Sequence, residues 1–138
     1  MSIYLDCNAT TPIEPEVVEN MNKYLTTDFG NEGSHTHSFG AVAKKAIQEA
    51  TKYAILTPFE VMKTAYNSME VMKAMIEHGN PNSITDAAVG ALCARTAIIG
   101  AFLNVKINCG DYEDKIFVKE ILTKGEKLVN KANKAEEE

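Results

Sequence analysis

The segment HGNPNSITDAAVGAL, residues 78–92, decides the fold because it joins two helical patterns through one polar turn. Its Asn-Pro-Asn run consists of residue types that favour turns. Ser83, followed three residues later by Asp86, is a capping signal for a new helix. The residues that follow include many small side chains: Ala87, Gly90, Ala91, Ala94, Ala97, Gly100 and Ala101. Because small side chains let neighbouring helix backbones approach closely, the sequence predicts a helix at the centre of an α-helical bundle.

Helical patterns lie on both sides of this segment. Upstream, Thr57-Pro58-Phe59-Glu60 predicts the start of a separate helix, with Thr57 as the cap, Pro58 in the first turn and Glu60 completing a capping box. Gly79 suits the left-handed residue just past the end of that helix. Four of the six methionines lie in this helix, which indicates core filling rather than a soft binding groove: Met62, Met69, Met72 and Met75. Downstream of Asn108–Asp111, apolar residues predict a final amphipathic helix: Phe117, Val118, Ile121, Leu122, Leu128 and Val129.

The N-terminal third predicts a mixture of elements. Ile3 to Leu5 has the pattern of a short strand, and Pro15 suits the first turn of a helix. Asp28 to Gly40 is rich in glycine and short polar side chains, which is typical of a loop, and a helical stripe then runs from Phe39 to Tyr53. The predicted fold class of the whole chain is therefore mainly α, a helical bundle preceded by a short strand, a loop and a helix.

Composition and charge exclude several classes of protein. The chain has 138 residues, of which 45% are hydrophobic and 24% charged, and these values are typical of a soluble globular domain. Its net charge of −5 and the lack of a basic cluster argue against a nucleic-acid partner. The apolar stretch Ala87 to Val105 contains Arg95 and is rich in Ala and Gly, which favours a buried soluble helix over a membrane span. The terminal residues Glu136 to Glu138 are expected to form a solvated tail.

Cysteines and histidines give no sign of a disulfide framework or a metal site. The three cysteines, Cys7, Cys93 and Cys109, are odd in number and lack C-x-x-C spacing. His35 and His37 are close in an extended loop, but no third ligand accompanies them. Together with the lack of a signal-peptide pattern, these features predict a reducing, cytoplasmic compartment.

Residues 3–52 resemble the opening of the cysteine desulfurases, which are class V aminotransferase-like enzymes that use pyridoxal phosphate. The resemblance is carried by YLDCNATTP (residues 4–12), PEVVENM (15–21) and FGNEGSHTHSFG (29–40). Pyridoxal phosphate catalysis requires a lysine for a Schiff base, a carboxylate near the pyridine nitrogen and donors for the phosphate. In the family these groups lie beyond its opening segment. Because the similarity stops near Tyr53, we do not expect this chain to bind pyridoxal phosphate.

Residues from Ile55 to Ala135 resemble a second family, the cyclodeaminase domain of formiminotransferase-cyclodeaminase and the related methenyltetrahydrofolate cyclohydrolases. The resemblance is carried by TPFEVM (57–62), HGNPNSITDAAVGAL (78–92) and GAFLNVKIN (100–108). It implies a dimeric helical domain and a tetrahydrofolate derivative as substrate. The cyclodeaminases convert 5-formiminotetrahydrofolate to methenyltetrahydrofolate with loss of ammonia, and the cyclohydrolases open the methenyl ring with water.

The same resemblance implies incomplete catalytic machinery. The family's proposed catalytic aspartate lies in a helix upstream of the segment represented here, and the desulfurase-like opening takes the place of that helix. No catalytic residue is therefore assigned from the sequence.

The turn before the small-residue helix holds the candidate substrate-binding residues Asn82, Ser83 and Asp86, with Asn80 beside them. A turn that leads into a helix brings polar side chains and free N–H groups together, which suits a polar or anionic group of a ligand. The alternative is that Asn82 and Ser83 only build the turn and the cap, while Asp86 interacts with the positive end of the helix.

Other polar residues in this half admit structural interpretations. Asn104 and Asn108 lie near a helix end, where an Asn side chain often satisfies backbone groups. Cys93 is predicted to lie in the core, and Arg95 to pair with a carboxylate or reach an interface. His78 is predicted to interact favourably with the C-terminal end of its helix.

Two family-like pieces in one chain indicate a gene fusion, a rearranged reading frame or a chimera, with predicted domains at residues 1–54 and 55–138. The first hypothesis is a folate-linked enzyme of the cyclodeaminase type, whose missing helices a partner chain supplies. The second is a non-catalytic helical domain that dimerises through its Ala-rich helix. The third is an inactive fragment of a cysteine desulfurase. We expect a homodimer or higher oligomer, and neither a nucleic-acid nor a membrane partner.

Overall fold

The structure, a computed structural model, describes residues 11–34 and 36–137. Its regular elements are helices: α1 (Pro15–Thr26), α2 (Ser38–His78), a short 3-10 turn (Pro81–Ser83), α3 (Ile84–Asn108) and α4 (Lys115–Glu137). The described ranges contain no strand, so the mainly α fold class is confirmed. The predicted strand from Ile3 to Leu5 lies outside the described residues.

The chain divides into two compact units, Met1–Ile47 and Gln48–Glu138. In the first unit, α1 forms where Pro15 predicted it, but none of its residues is buried. The loop that follows is fixed by local bonds. The Phe29 and Phe39 rings stack with centroids 5.5 Å apart, and the N–H of Ser34 donates to the carbonyl of Asn31 at 3.0 Å.

In α2 the prediction of a separate helix start at Thr57 is wrong. The helix continues through Pro58, and the Thr57 hydroxyl donates to the carbonyl of Tyr53 at 3.0 Å instead of capping. A proline has no N–H for the carbonyl four residues earlier, which here belongs to Ala54. The side-chain amide of Asn108 donates to that carbonyl at 3.0 Å. A tertiary hydrogen bond therefore replaces the missing helical one, and the structural interpretation of Asn108 is confirmed.

The core of the second unit is built from side chains of α2, α3 and α4. The largest fully buried side chains are Ile55, Met62, Ile98 and Val105. The predicted core filling by methionine is confirmed for Met62 and Met69, whereas Met75 is 44% exposed. A residue that the sequence did not single out allows α3 and α4 to approach closely: Gly125 of α4 lies against the ring of Phe102, where a β-carbon would collide with the ring.

The termini around the turn differ from prediction in two details. No glycine among the described residues has a positive φ, so the left-handed conformation predicted for Gly79 is wrong. Its N–H instead donates to the carbonyl of Met75 at 2.9 Å and continues the helical pattern. Ser83 occupies the N-cap position of α3 without a side-chain capping bond, and the side-chain oxygen of Asn80 caps the turn by accepting from the N–H of Asn82 at 3.0 Å.

The segment Pro81–Asn108 is long and apolar enough to cross a membrane, judged by length and composition alone. The core helix of a soluble protein passes the same test. In this structure α3 buries Ala94, Ile98, Ala101 and Val105 in the core of the second unit.

Candidate functional site

A cleft of about 230 Å³ lies between α2, α3 and α4 in the second unit. Its apolar walls are formed by Met69, Met72, Ile76, Ala88, Ala91, Leu92 and Ala135. On the α3 side the small side chains of Ala88 and Ala91 leave the space open. Three charged residues complete the lining: Lys73, Glu77 and Glu136. The cleft therefore combines apolar walls with two carboxylates and one ammonium group, and small-molecule sites are typically apolar with a few such polar groups.

Glu136 is held in place by an ion pair. Its Oε2 atom lies 3.3 Å from Nε of Arg95, and the two side chains are 22% and 36% exposed. The prediction that Arg95 pairs with a carboxylate is confirmed. The prediction of a solvated tail is wrong for Glu136, because this residue belongs to α4 and contacts Arg95 of α3 with a side chain that is only 22% exposed. Glu77 makes a longer contact, with its Oε2 atom 3.7 Å from Nε2 of His78.

The predicted substrate-binding residues lie together at the start of α3 but do not line the cleft. Asn82 and Asp86 are exposed, and Ser83 is half-buried. The N–H of Asn82 is already engaged by Asn80, and Asp86 lies in the first turn of α3. Their assignment to substrate binding stays a prediction.

The remaining polar predictions in this half have mixed outcomes. Cys93 is exposed, so its placement in the core is wrong, whereas Cys109 is buried. Burial raises the pKa of the Cys109 thiol, because desolvation disfavours the thiolate. The side-chain amide of Asn104 lies 3.5 Å from the carbonyl of Gly100, one turn earlier in its own helix.

A serine–histidine contact in the first unit resembles part of a hydrolytic site, but its hydrogen bond runs in the wrong direction for catalysis. The Oγ atom of Ser34 lies 2.8 Å from Nε2 of His37. The N–H of Gly40 donates to Nδ1 of the same ring at 3.3 Å. A neutral imidazole whose Nδ1 accepts carries its proton on Nε2, so His37 donates to Ser34 and does not accept its proton. This contact therefore orders the loop and does not activate a nucleophile.

Metal-ligating side chains do not come together in groups of three or more within the described ranges. His35, the other histidine of the predicted pair, lies outside them.

No pattern in the sequence indicated the cleft. Its residues come from positions as far apart as Met69 and Glu136, and they meet only because the three helices pack together. Small residues in α3 were recognised, but only as contacts for neighbouring helices. Which of them face the core and which face an open space depends on the helix packing.

Two family models match the chain. The model described as formiminotransferase-cyclodeaminase matches residues 34–127, and the model described as class V aminotransferase matches residues 3–55. The first match therefore contains α2, α3 and the first half of α4. The two matches overlap over residues 34–55, which lie on both sides of the division between the compact units. The predicted domain boundary near residue 54 stays a prediction.

Curated relatives match the N-terminal part. Cysteine desulfurase IscS of Methylobacillus flagellatus is 56% identical over 48 residues, which are 35% of this chain and 12% of that protein. The enzymes of Dechloromonas aromatica and Rickettsia massiliae are each 54% identical over 50 residues, which are 36% of this chain and 12% of theirs. The chain thus spans about 12% of the length of these relatives.

The predicted combination of a desulfurase-like opening with a second family is confirmed. The longer match covers more than half of the residues and includes α3 and most of the core described above. The chain therefore belongs to the formiminotransferase-cyclodeaminase family.

Proposed function

We propose that this chain binds a folate derivative, as the formimidoyltetrahydrofolate cyclodeaminases and methenyltetrahydrofolate cyclohydrolases do, and that it does not complete the reaction alone. The observation that carries the proposal is the cleft between α2, α3 and α4. Its α2 and α3 walls lie within residues 34–127, which match the family. In a purely structural bundle, filling such an apolar cleft would increase stability, so an open cleft with charged residues at its edge favours a binding role.

The proposed lack of turnover rests on the N-terminal part. The resemblance places the family's catalytic aspartate upstream of the segment represented here, where this chain carries a desulfurase-like sequence instead. Binding without chemistry is then the expected behaviour of the isolated chain. A partner chain that supplies the missing helices would restore the reaction.

A thermal titration with folinic acid (5-formyltetrahydrofolate), a stable folate derivative, tests the binding. A ligand that binds only the folded state stabilises it by about 2.7 kcal/mol at a hundredfold excess over its dissociation constant. We expect a rise in melting temperature that grows with folinic acid concentration, and no conversion of 5-formiminotetrahydrofolate by the isolated chain. An unchanged melting temperature at millimolar folinic acid would contradict the proposed function.

We further propose a cytoplasmic location and no role for pyridoxal phosphate. Both described cysteines, Cys93 and Cys109, are free thiols, as expected in a reducing compartment. Addition of pyridoxal phosphate to the purified chain is expected to produce no absorbance band of a Schiff base. A stable band that resists dialysis would show that the desulfurase-like part retains cofactor binding.

A non-catalytic dimerisation domain is the second candidate, and one surface favours it. One face of α3 presents uncharged residues at helical spacing. We call this surface the outer face of α3, and it consists of Val89, Thr96, Gly100, Leu103 and Ile107. It carries no charge, and Val89, Leu103 and Ile107 are 58%, 60% and 76% exposed. Two copies of such a face can pack together without burying a charge.

Light scattering on the full chain tests this candidate. We expect a dimer that Leu103→Glu converts to a monomer, because the substitution places a charge within the outer face. Lys106→Glu, which changes a neighbouring exposed residue off this face, serves as the control and is expected to leave the dimer intact. A monomeric wild-type chain at micromolar concentration would rule out dimerisation through α3.

A further inference from the structure

We propose that the cleft between α2, α3 and α4 takes only the flat ring of a folate derivative, held by its N–H edge, and leaves the anionic tail outside. This inference rests on the proposed function and assigns the part of the ligand that is bound, its orientation and the residues that hold it. Three features of the cleft carry it: its size, its charge and its small-residue wall.

The size of the cleft selects a fragment of the ligand. Its volume is about 230 Å³. Pockets that bury a whole drug-sized ligand measure about 300–1,000 Å³. One fused pair of rings is the largest part of a folate that fits, and the aminobenzoyl-glutamate tail has to remain in solvent.

The charges in the cleft select the orientation. Ionised Glu77 and Glu136 only accept hydrogen bonds, and the pterin edge with its ring N–H and amino group only donates. The cleft offers one cation, Lys73, against these two carboxylates, so its charge does not favour the anionic glutamate tail of a folate. Because the Glu136 side chain is only 22% exposed, its interaction with the ligand is screened less than one at the open surface.

Arg95 holds the Glu136 carboxylate by charge attraction and leaves it able to accept a further hydrogen bond. Its Nε atom lies beside Oε2 of Glu136, and a carboxylate has a second oxygen with further acceptor capacity. The ion pair thus holds the end of α4 against α3, while Glu136 keeps room to accept from a ligand. We assign Arg95 a positioning role, because it does not itself line the cleft.

The small-residue wall provides the space for the ring. Ala88 and Ala91 line the α3 side, and the flexible side chains of Met69 and Met72 line the α2 side. Methionine adapts its shape to a flat apolar surface at little cost. A leucine at position 91 would fill the hollow that the ring is proposed to occupy, and it would add apolar packing at the same time.

The test uses the full chain and two probes, pterin (2-amino-4-oxopteridine) and folinic acid, with affinities from fluorescence titration and stability from thermal unfolding. We expect both probes to bind the wild-type chain with affinities within about tenfold of each other, since the tail adds no contact. Ala91→Leu is expected to abolish the binding of both probes while keeping or raising the melting temperature. Ala97→Leu, the same change at an exposed position of α3, is the matched control and keeps both affinities.

The carboxylate is tested with a pair of substitutions. Glu136→Gln is expected to weaken both probes about tenfold or more, because it removes a charged acceptor. Arg95→Gln breaks the same ion pair but keeps the carboxylate, and we expect it to change affinity by about threefold at most. Equal losses in the two variants would show that Glu136 acts only through the ion pair and would overturn its assigned contact with the ligand.

The outcomes separate this inference from the proposed function. Binding of folinic acid that Ala91→Leu leaves intact would overturn the inference while the folate proposal stands. Folinic acid that binds more than about a hundredfold tighter than pterin would show that the protein holds the tail, and it would also overturn the inference. Pterin binding that depends on Ala91, without folinic acid binding, would support the ring site and contradict the folate function. Binding of neither probe would contradict both.

Discussion

The two compact units differ in how many side chains they bury. In the second unit, side chains from three helices form one core, and Ile55, Met62, Ile98 and Val105 are fully buried. In the described part of the first unit, only Gly40 and Ala43 are buried, and none of these buried residues belongs to α1. Yet the N-terminal part is the region that matches the cysteine desulfurases named above, with 56% identity over 48 residues to one of them.

This difference in burial shows that a strong sequence match over a short segment need not include a core. In the first unit the matched residues fix backbone geometry. A β-carbon at Gly40 would collide with the carbonyl groups of Ser34 and Asn31, so the loop closes only on a glycine. In the second unit the residues have side-chain volumes that fit the helix packing. At Gly125, for example, the lack of a β-carbon leaves room for the Phe102 ring. High identity over a short segment therefore does not imply a complete core or a complete active site.

The largest expected effect separates the units by burial. Ile98→Ala removes a fully buried side chain and is expected to lower the free energy of unfolding by about 2–5 kcal/mol. Leu25→Ala removes a side chain of the same size from α1, where it is 70% exposed, and we expect a change of about 0.5 kcal/mol or less. Urea denaturation followed by circular dichroism measures both. Similar losses in the two variants would show that α1 is covered in solution and would remove the contrast between the units.

The next prediction compares two glycines that are needed for different reasons. Gly125→Ala places a methyl group against the Phe102 ring, and overpacking of this kind costs about 1–3 kcal/mol. Phe102→Leu makes room for that methyl group, so the double variant is expected to be more stable than the sum of the single effects. Strict additivity, measured by the same denaturation, would contradict the close approach of α3 and α4.

Gly40→Ala is the matched variant in the first unit. Its clash is with backbone carbonyl groups, which no rotamer change relieves. We expect faster hydrogen exchange in residues 31–40, with an unchanged unfolding transition of the second unit. Unchanged exchange there would contradict the close approach of Gly40 to Ser34.

A third and smaller effect concerns the replaced hydrogen bond of α2. Asn108→Ala leaves the carbonyl of Ala54 without its donor and is expected to cost about 1 kcal/mol. In a Pro58→Ala background the backbone N–H at position 58 becomes available to that carbonyl, so the same substitution is expected to cost close to nothing. A double-mutant cycle by denaturation measures this coupling, and a cost that is equal in both backgrounds would contradict it.

Asn20→Ala provides the comparison from the first unit. The Asn20 side chain also donates to a backbone carbonyl, that of Glu16 at 3.0 Å, but the bond is exposed and lies within one helix. Water replaces such a bond, and alanine is the better helix former. We expect unchanged or slightly increased stability. A loss as large as that of Asn108→Ala would mean that location in the structure does not set the value of these bonds.

The sequence predicted the helical class and the composition of the core, because both follow from periodic apolar residues. It failed at Thr57, where local capping signals indicated a helix start. The signals were present, but a donor 50 residues away in sequence, Asn108, made the proline tolerable inside one helix. It failed at Cys93 for a related reason. A helix that is apolar on every side does not reveal which face is buried until its neighbours are placed.

The candidate site was less accessible to prediction than the fold. Asn82, Ser83 and Asp86 could be predicted because they are polar and lie close together in the sequence. The cleft contains Ala91 and Glu136, which are 45 positions apart and individually unremarkable in type. Only the packing of α4 along α3 brings the carboxylate of Glu136 to the small-residue wall.

The smallest expected effect tests the surface ion pair that closes α1. A side-chain hydrogen bond from Lys23 to Asp28, together with their charge attraction, raises the pKa of Lys23 above its ordinary value of 10.5. Because the folded pKa is the higher one, the stabilisation is complete below pH 10.5 and is lost as the pH rises through the folded pKa. Asp28→Asn should return the pKa of Lys23 to its ordinary value in a lysine NMR titration, and 1 M salt should have a similar effect because it screens exposed charges. The unfolding transition of the second unit should not change, since this pair contributes nothing to that core. A shift of that transition would show that the first unit supports the second, and it would overturn the contrast between a unit held by local bonds and a unit held by its core.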